Sequence, residues 1–101
     1  MEDKTLRKLF LGFIHIHILH HASEHPVYGQ WMLEELQEHG YSMSAGTLYP
    51  ILHAMENDGL LHKESKNVNG KIRKYYTTTD KGAGILQEAR AKAYELFKEI
   101  K

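Results

Sequence analysis

The run Gly46-Thr47-Leu48-Tyr49-Pro50, continued by Leu52, Met55, Glu56 and Gly59-Leu60-Leu61, constrains the fold of this chain more than any other stretch. Leu48, Ile51, Leu52 and Met55 recur at helical spacing along one stripe, while Gly46, Tyr49, Pro50, His53 and Asn57 face the other way. One face of this helix is therefore core and the other is available. Beyond Gly59 the period changes from helix to strand. Leu60 to Lys66 reads as one strand, Asn67-Val68-Asn69-Gly70 as a polar turn, and Lys71 to Thr78 as a second strand carrying Arg73-Lys74-Tyr75-Tyr76.

Two helices precede this unit. The first, Lys4 to His21, is apolar on several faces: Leu6, Phe10 and Phe13 on one, Leu11 and Ile18 on another, Leu9 and Ile16 on a third. A helix apolar all round must be covered on more than one side. In a chain of 101 residues, with its high surface-to-volume ratio, a second subunit is the natural cover. Pro26 suits the first turn of the second helix, where its missing donor costs little. That helix runs to His39, with Met32, Leu33 and Leu36 toward the core, Glu34, Glu35 and Glu38 outside, and Gly40 ending it.

Gly40-Tyr41-Ser42-Met43 then reads as a turn, and Ser44 as the cap of the third helix with Thr47 three residues on. Pro50, soon after that cap, predicts an irregular helix opening around Gly46. Thr79 is a good N-cap for a last helix through Ile100, with Asp80 complementing its dipole. Along it Leu86, Ala89, Ala93, Leu96 and Ile100 recur as a short heptad seam, a pattern that equally describes an amphipathic helix packed on its own domain. The order helix, helix, helix, hairpin, helix implies a mainly α, α+β fold. It is that of a winged helix-turn-helix with a two-stranded wing and a C-terminal dimerisation helix. Residues 1–101 form one domain, the winged helix and its N-terminal helix over 1–78 and the dimerisation helix over 79–101.

The absence of cysteine excludes a disulfide framework and thiolate metal sites. The longest apolar region, Leu9 to Leu19, is short and broken by His15 and His17, which argues against secretion and membrane spanning and for a cytoplasmic protein. The formal net charge is zero, but its distribution is uneven. Residues 62–81 carry Lys63, Lys66, Lys71, Arg73, Lys74 and Lys81 against Glu64 and Asp80, a net of +4, whereas residues 1–61 carry a net of −5. Positive charge is concentrated on the hairpin, where a wing would meet phosphate; lysines guarding a solvated edge strand give the same pattern. Nothing supports catalysis. Ser23, Ser42, Ser44 and Ser65 lie in no nucleophile-elbow context and there is no phosphate-binding glycine loop, so neither an enzyme nor a cofactor is expected.

Tyr28-Gly29, Gly46-Thr47-Leu48-Tyr49-Pro50, Leu52, Glu56, Gly59-Leu60, Arg73-Lys74-Tyr75-Tyr76, Thr79 and Gly82, taken together, resemble the PadR family of transcriptional regulators. The resemblance implies a winged-helix homodimer that represses promoters, with dimer contacts from the first and last helices. It implies that the third helix enters the major groove and that the wing reaches phosphate or the minor groove. The single C-terminal helix is similar to the short branch of the family, often with a hydrophobic ligand cavity at the dimer interface. Thr78 stands where the family usually places leucine, which predicts a looser strand-to-helix junction.

On this reading Ser42, Ser44, Thr47, Tyr49 and His53 face the groove of double-stranded DNA, and Lys63, Lys66, Lys71, Arg73 and Lys74 lie on or near the wing. Leu6, Phe10, Phe13, Leu86, Ala89, Ala93, Leu96 and Ile100 form the dimer interface. The partners expected are DNA, a second copy and a small hydrophobic effector, with no membrane. A rival is a winged-helix protein-interaction module without DNA binding, which the neutral overall charge permits. A third is a metal- or pH-responsive regulator built on the eight histidines. His17 and His21, four apart on one face with His20 and His25 nearby, can hold a divalent ion such as zinc. No HExxH motif or carboxylate in register completes a set, and helix-end or interface histidines give the same spacing. Trp31 is either a lining of an interfacial cavity or a core residue.

Overall fold

The computed structural model describes residues 3–101; Met1 and Glu2, inside the domain bounds expected above, lie outside the described residues. Asp3 opens α1 (Lys4–Glu24), its carboxylate accepting from the backbone N–H of Thr5 at 2.7 Å and of Leu6 at 3.3 Å. The helix runs past the expected end at His21 because Ala22 is buried and nothing breaks the chain before Pro26. The residue before a proline is driven out of the helical region, and His25 is extended.

Pro26 is not in a helix. The backbone it steers continues as a two-residue strand, β1 (Val27–Tyr28), and α2 (Gly29–Glu38) starts only after it. The expectation that Pro26 opens the second helix is thus corrected: Val27 and Tyr28 gain ladder partners in Tyr76 and Tyr75, and Val27 is buried. The sheet consequently has three strands rather than two, in the order β1-β3-β2 and antiparallel throughout.

Two Schellman turns place α3 (Ala45–Asn57) between α2 and the hairpin. After α2, Gly40 at φ +92° lets the Tyr41 N–H bond the Leu36 carbonyl at 2.9 Å and its own N–H bond Gln37 at 3.0 Å. After α3, Gly59 at φ +79° does the same, with Leu60 N–H on Met55 at 2.9 Å and Gly59 N–H on Glu56 at 3.0 Å. Ser44 is the N-cap residue of α3, but its hydroxyl caps no backbone donor and lies 3.4 Å from the Thr47 hydroxyl instead. The helix passes through Pro50 without interruption, contrary to the irregular opening expected around Gly46.

The hairpin is longer than its composition suggests. β2 (Leu61–Val68) and β3 (Lys71–Thr78) pair over their full length, so the turn is Asn69-Gly70 alone, at φ +54° and +85°. Both central residues in the left-handed region define a type I′ turn, for which Asn-Gly is the strongest short signal. Asn67, expected in the turn, pairs with Ile72 and accepts from Gly70 N–H at 2.9 Å.

At the far end of β3 the junction to α4 (Asp80–Ile100) is tied rather than loose. The Thr78 hydroxyl donates to the Leu19 carbonyl of α1 at 2.8 Å, a bond leucine could not make. Thr79 caps α4 by accepting from Gly82 N–H at 3.0 Å while its hydroxyl donates to Gly59 at 2.6 Å. Gly82 is required here, since a Cβ would collide with the Leu60 carbonyl.

The core gathers Ile14, Ile18, Leu19 and Ala22 of α1, Met32 and Leu36 of α2, Leu48, Leu52 and Met55 of α3, and Val27, Leu61, Tyr76 and Leu86. Among the described residues no polar or charged residue is buried. Leu86 is thereby claimed by the chain's own core, whereas Ala93, Leu96 and Ile100 further along α4 are exposed. Leu6, Leu9, Phe10 and Phe13 at the start of α1 are exposed as well. No helix among the described residues is long and apolar enough to cross a membrane.

Candidate nucleic-acid interface

Leu48, Leu52 and Met55 anchor one side of α3, and this leaves Thr47, Tyr49, Pro50 and His53 exposed on the other. Ser42 and Ser44 lie exposed on the approach to the helix. Tyr49 is half exposed, and its ring lies over the first turn of α2: a Cβ on Gly29 would press on Tyr49 Cε1 and come within 2.9 Å of Cζ and the hydroxyl. A groove of about 830 Å³ runs from this aromatic to the wing, bounded by Gly29, Gln30, His53, Ile72 and Lys74. Its floor includes Tyr76, whose phenol is held above its ordinary value by burial and by nearby Glu56.

The register of the hairpin divides the five cations between two faces. Lys63 opposite Tyr76, and Lys74 opposite Ser65, lie on the side that faces the core. Lys66 opposite Arg73, and Lys71 opposite Val68, lie on the other side with Tyr75. There Arg73 stacks on the Tyr28 ring at 4.1 Å, Tyr28 meets Tyr75 edge-on at 5.6 Å, and Lys66 sits 5.4 Å from the Tyr75 centroid. Interaction with Tyr75 holds Arg73 above its already high ordinary value. Arg73 is thus a fixed cation on an aromatic shelf. Lys63 differs from the rest, because its ammonium is 3.5 Å from the Glu56 carboxylate of α3 and the pair braces the helix against the wing.

Tyr28, Gly29 and Gln30 belong to this region and are not among the site residues that the sequence suggests. They reach it through β1, whose two-residue length leaves no periodicity to detect. In the sequence Tyr28-Gly29 enters only through the family resemblance, and the pairing of Tyr28 with Tyr75 becomes visible once the strands are in register.

The histidines form a second constellation, on the opposite side of α2. His17 and His21 stack at 6.0 Å between centroids, and α2 brings His39 to 4.5 Å from His17. Glu35, expected outside from the helical phase, is half-buried and reaches both His21 Nε2 at 3.3 Å and His39 Nε2 at 3.1 Å. A carboxylate in register therefore exists, supplied by the neighbouring helix rather than by α1. Burial holds the His17 and His21 imidazoles below their ordinary value of 6.5; His39 adds to this and Glu35 opposes it. Trp31 is half-buried, its ring edge-on to His21 at 5.5 Å and to His25 at 5.0 Å.

A helix-turn-helix followed by a basic antiparallel hairpin defines a winged-helix protein. The family model of the Transcriptional regulator PadR-like family matches residues 18–88, from the buried part of α1 to the start of α4. The chain belongs to that family. It is 43% identical over 95 residues to the transcriptional regulator Rv3488 of Mycobacterium tuberculosis (strain ATCC 25618 / H37Rv), covering 94% of this chain and 89% of the relative. Among solved structures it is similar to a PadR family transcriptional regulator from Eggerthella lenta DSM 2243 (TM-score 0.82, 35% identity, 95% of this chain and 85% of the other). It is also similar to a PadR-like transcriptional regulator from Bacillus cereus strain ATCC 14579 (TM-score 0.83, 30% identity, 92% of each chain). The chain is a transcriptional regulator with a winged-helix fold, and DNA binding follows from its family.

Proposed function

We propose that the chain acts in the cytoplasm as a homodimeric repressor that binds a pseudo-palindromic operator and is released by a small hydrophobic effector. The observation that carries the reading is the exposed face of α3 beside a basic wing, the two bounding one groove. Ser42, Ser44, Thr47, Tyr49 and His53 meet base edges and flanking phosphates from the N-terminal part of the recognition helix. Lys66, Lys71, Arg73 and Lys74 meet backbone phosphate, where a charge-assisted contact adds affinity without sequence preference. Lys63 contributes mainly by holding the wing to α3 through Glu56.

Two-fold symmetry is needed for a palindromic site, and half-sites one helical turn apart demand two recognition helices ~34–36 Å apart. The exposed apolar residues Leu6, Phe10 and Phe13 of α1 and Ala93, Leu96 and Ile100 of α4, with half-buried Ala89, supply a surface for the second copy. The core already occupies Leu86, so that residue supports this surface from beneath. An apolar groove of about 700 Å³ between α1 and α3, reached by Phe10, Ile14, Tyr41, Met43 and Ile51, is the place for the effector, because a guest there would touch both the dimer helix and the recognition helix.

Binding to a duplex from the DNA upstream of the chain's own gene, measured against salt, tests the reading. The log of the affinity should fall linearly with log salt, with a slope of about −0.9 per phosphate neutralised. An affinity indifferent to salt would favour the protein-interaction module.

A further inference from the structure

The cluster of histidines between α1 and α2 is not used by the DNA-binding reading. We propose that His17, His21, Glu35 and His39 form a site for a divalent transition-metal ion of the zinc class. Resting on the operator-binding reading above, we further propose that occupancy of this site sets the pose of the recognition helix.

The donors come as two i, i+4 pairs, His17 with His21 on α1 and Glu35 with His39 at the end of α2, and the pairs face each other across the helix contact. The ligand nitrogens of the three histidines all lie within 4.8 Å of one another. Ligand atoms on a tetrahedral ion with metal–nitrogen bonds of ~2.0–2.1 Å stand roughly 3.3 Å apart. The Glu35 oxygen is already at 3.3 Å from His21 Nε2 and 3.1 Å from His39 Nε2. Glu35 stands outside the mutual set of the three histidines, so holding one ion requires its carboxylate and the imidazoles to turn toward a common point.

His21 Nε2 supplies an independent observation. It is buried and has no hydrogen-bond partner, since the Glu35 oxygen beside it is not aligned for one. A buried nitrogen beside a carboxylate and two other imidazoles, left without a hydrogen bond, is open to a ligand. Coordination requires the unprotonated ring, so binding should weaken as pH falls. Three imidazoles and one carboxylate select zinc or a neighbouring transition ion over magnesium or calcium, which prefer oxygen. The alternative grouping of His20, His21 and Glu24 is as close-set and draws on the same His21, but it offers two imidazoles rather than three and stands on one helix.

His39 is the C-cap of α2, and Gly40 to Ser44 then lead directly into α3. An ion that ties His39 to α1 therefore fixes the root of the turn that aims the recognition helix. The same ion is linked to the exposed half of α1, because Tyr41 lies edge-on to both His17 at 5.6 Å and Phe10 at 5.7 Å.

Zinc titration by calorimetry on the full chain, with cobalt absorbance as a reporter of tetrahedral geometry, tests the site. One ion per chain is expected in the wild type. His39→Ala, at an exposed helix end, should bind on the order of 100-fold or more weakly, as should His21→Gln, both with unchanged far-UV circular dichroism. His62→Ala, on the exposed strand β2, should bind as the wild type does. No binding by the wild type, or binding that survives His39→Ala and is lost in His20→Ala, overturns the site. In a second arm, the Kd for the upstream duplex should change about tenfold with zinc in the wild type and not at all in His39→Ala. Zinc bound without any change in that Kd overturns the regulatory half. A wild type that binds zinc at these residues but binds the duplex under neither condition overturns the operator reading, and with it the regulatory half, and leaves the metal site standing.

Discussion

The two halves of α1 are similar in apolar content and opposite in surroundings. From Ile14 to Ala22 the helix runs through the middle of the core, with Ile18 fully buried and Leu19 at 3% exposure. From Leu6 to Phe13 the same helix holds Leu6, Leu9, Phe10, Leu11 and Phe13 at 40–57% exposure. Hydropathy demands cover for both halves alike. Only the buried half meets that demand within the chain, and the difference teaches that an apolar face states a need for a neighbour without stating whose chain supplies it.

The strongest way to break the comparison is to cut into each half in turn. Ile18→Ala should cost about 2–5 kcal/mol, because a fully buried branched side chain leaves a cavity that α2, α3 and the sheet cannot refill. Urea unfolding checks it, and a loss under ~1 kcal/mol would mean that the two halves are not different in kind. The complementary variant, Phe10→Glu with Leu96→Glu, should leave the fold intact by circular dichroism. It should weaken self-association in sedimentation by at least ~100-fold, since a charge cannot be buried unpaired in an apolar interface. If that double variant sediments as the wild type does, the exposed half of α1 is not the second copy's seat.

α3 repeats the comparison on a smaller scale, with Leu48, Leu52 and Met55 buried and Thr47, Tyr49 and His53 exposed. Replacing Lys71, Arg73 and Lys74 by alanine should weaken binding to operator and random duplex alike and flatten the salt slope by up to ~0.9 for each phosphate no longer neutralised. His53→Ala or Thr47→Ala should instead narrow the gap between operator and random DNA, by about 1–3 kcal/mol where the side chain hydrogen-bonds a base edge. Titrating both variants on both duplexes separates the roles, and parallel losses in all four measurements would sink the division of labour.

The helices and the hairpin are legible in the sequence because each carries its signal locally: a stripe at Leu48, Leu52 and Met55, glycines at Gly40 and Gly59 where positive φ is needed, and Asn69-Gly70 at the hairpin tip. What is not legible depends on partners distant in sequence. β1 exists because Val27 and Tyr28 meet Tyr76 and Tyr75, and no pattern within two residues announces that. Helical phase makes Glu35 an outward glutamate, yet α1 crosses α2 at that point and turns it inward to His21. Likewise Thr78 departs from leucine in composition only, because the hydroxyl finds the Leu19 carbonyl fifty-nine residues away. The seam on α4 is ambiguous for the same reason: Leu86 meets its own core, and the spacing of the residues after it is no different.

The finest version of the comparison changes the exposed side of the molecule while leaving the buried side alone. Gly29 opens α2 under the Tyr49 ring, and a methyl group there would stand against Cε1 and within 2.9 Å of Cζ and the hydroxyl. The atoms that must yield belong to the end of a half-exposed side chain, so Tyr49 can swing aside without disturbing Leu48 or Leu52 behind it. Alanine is also the better helix former, by up to ~1 kcal/mol over glycine in a helix interior. Gly29→Ala should therefore leave stability within ~1 kcal/mol of the wild type, on either side. Operator affinity should nevertheless fall, on the order of 5- to 10-fold, because the displaced ring changes the mouth of the groove beside α3, a loss of about 1 kcal/mol. Tyr49→Ala in the Gly29→Ala background should then add little, since the ring would already be out of place. Additive losses in that double-mutant cycle would show that Gly29 acts on binding by some route other than Tyr49.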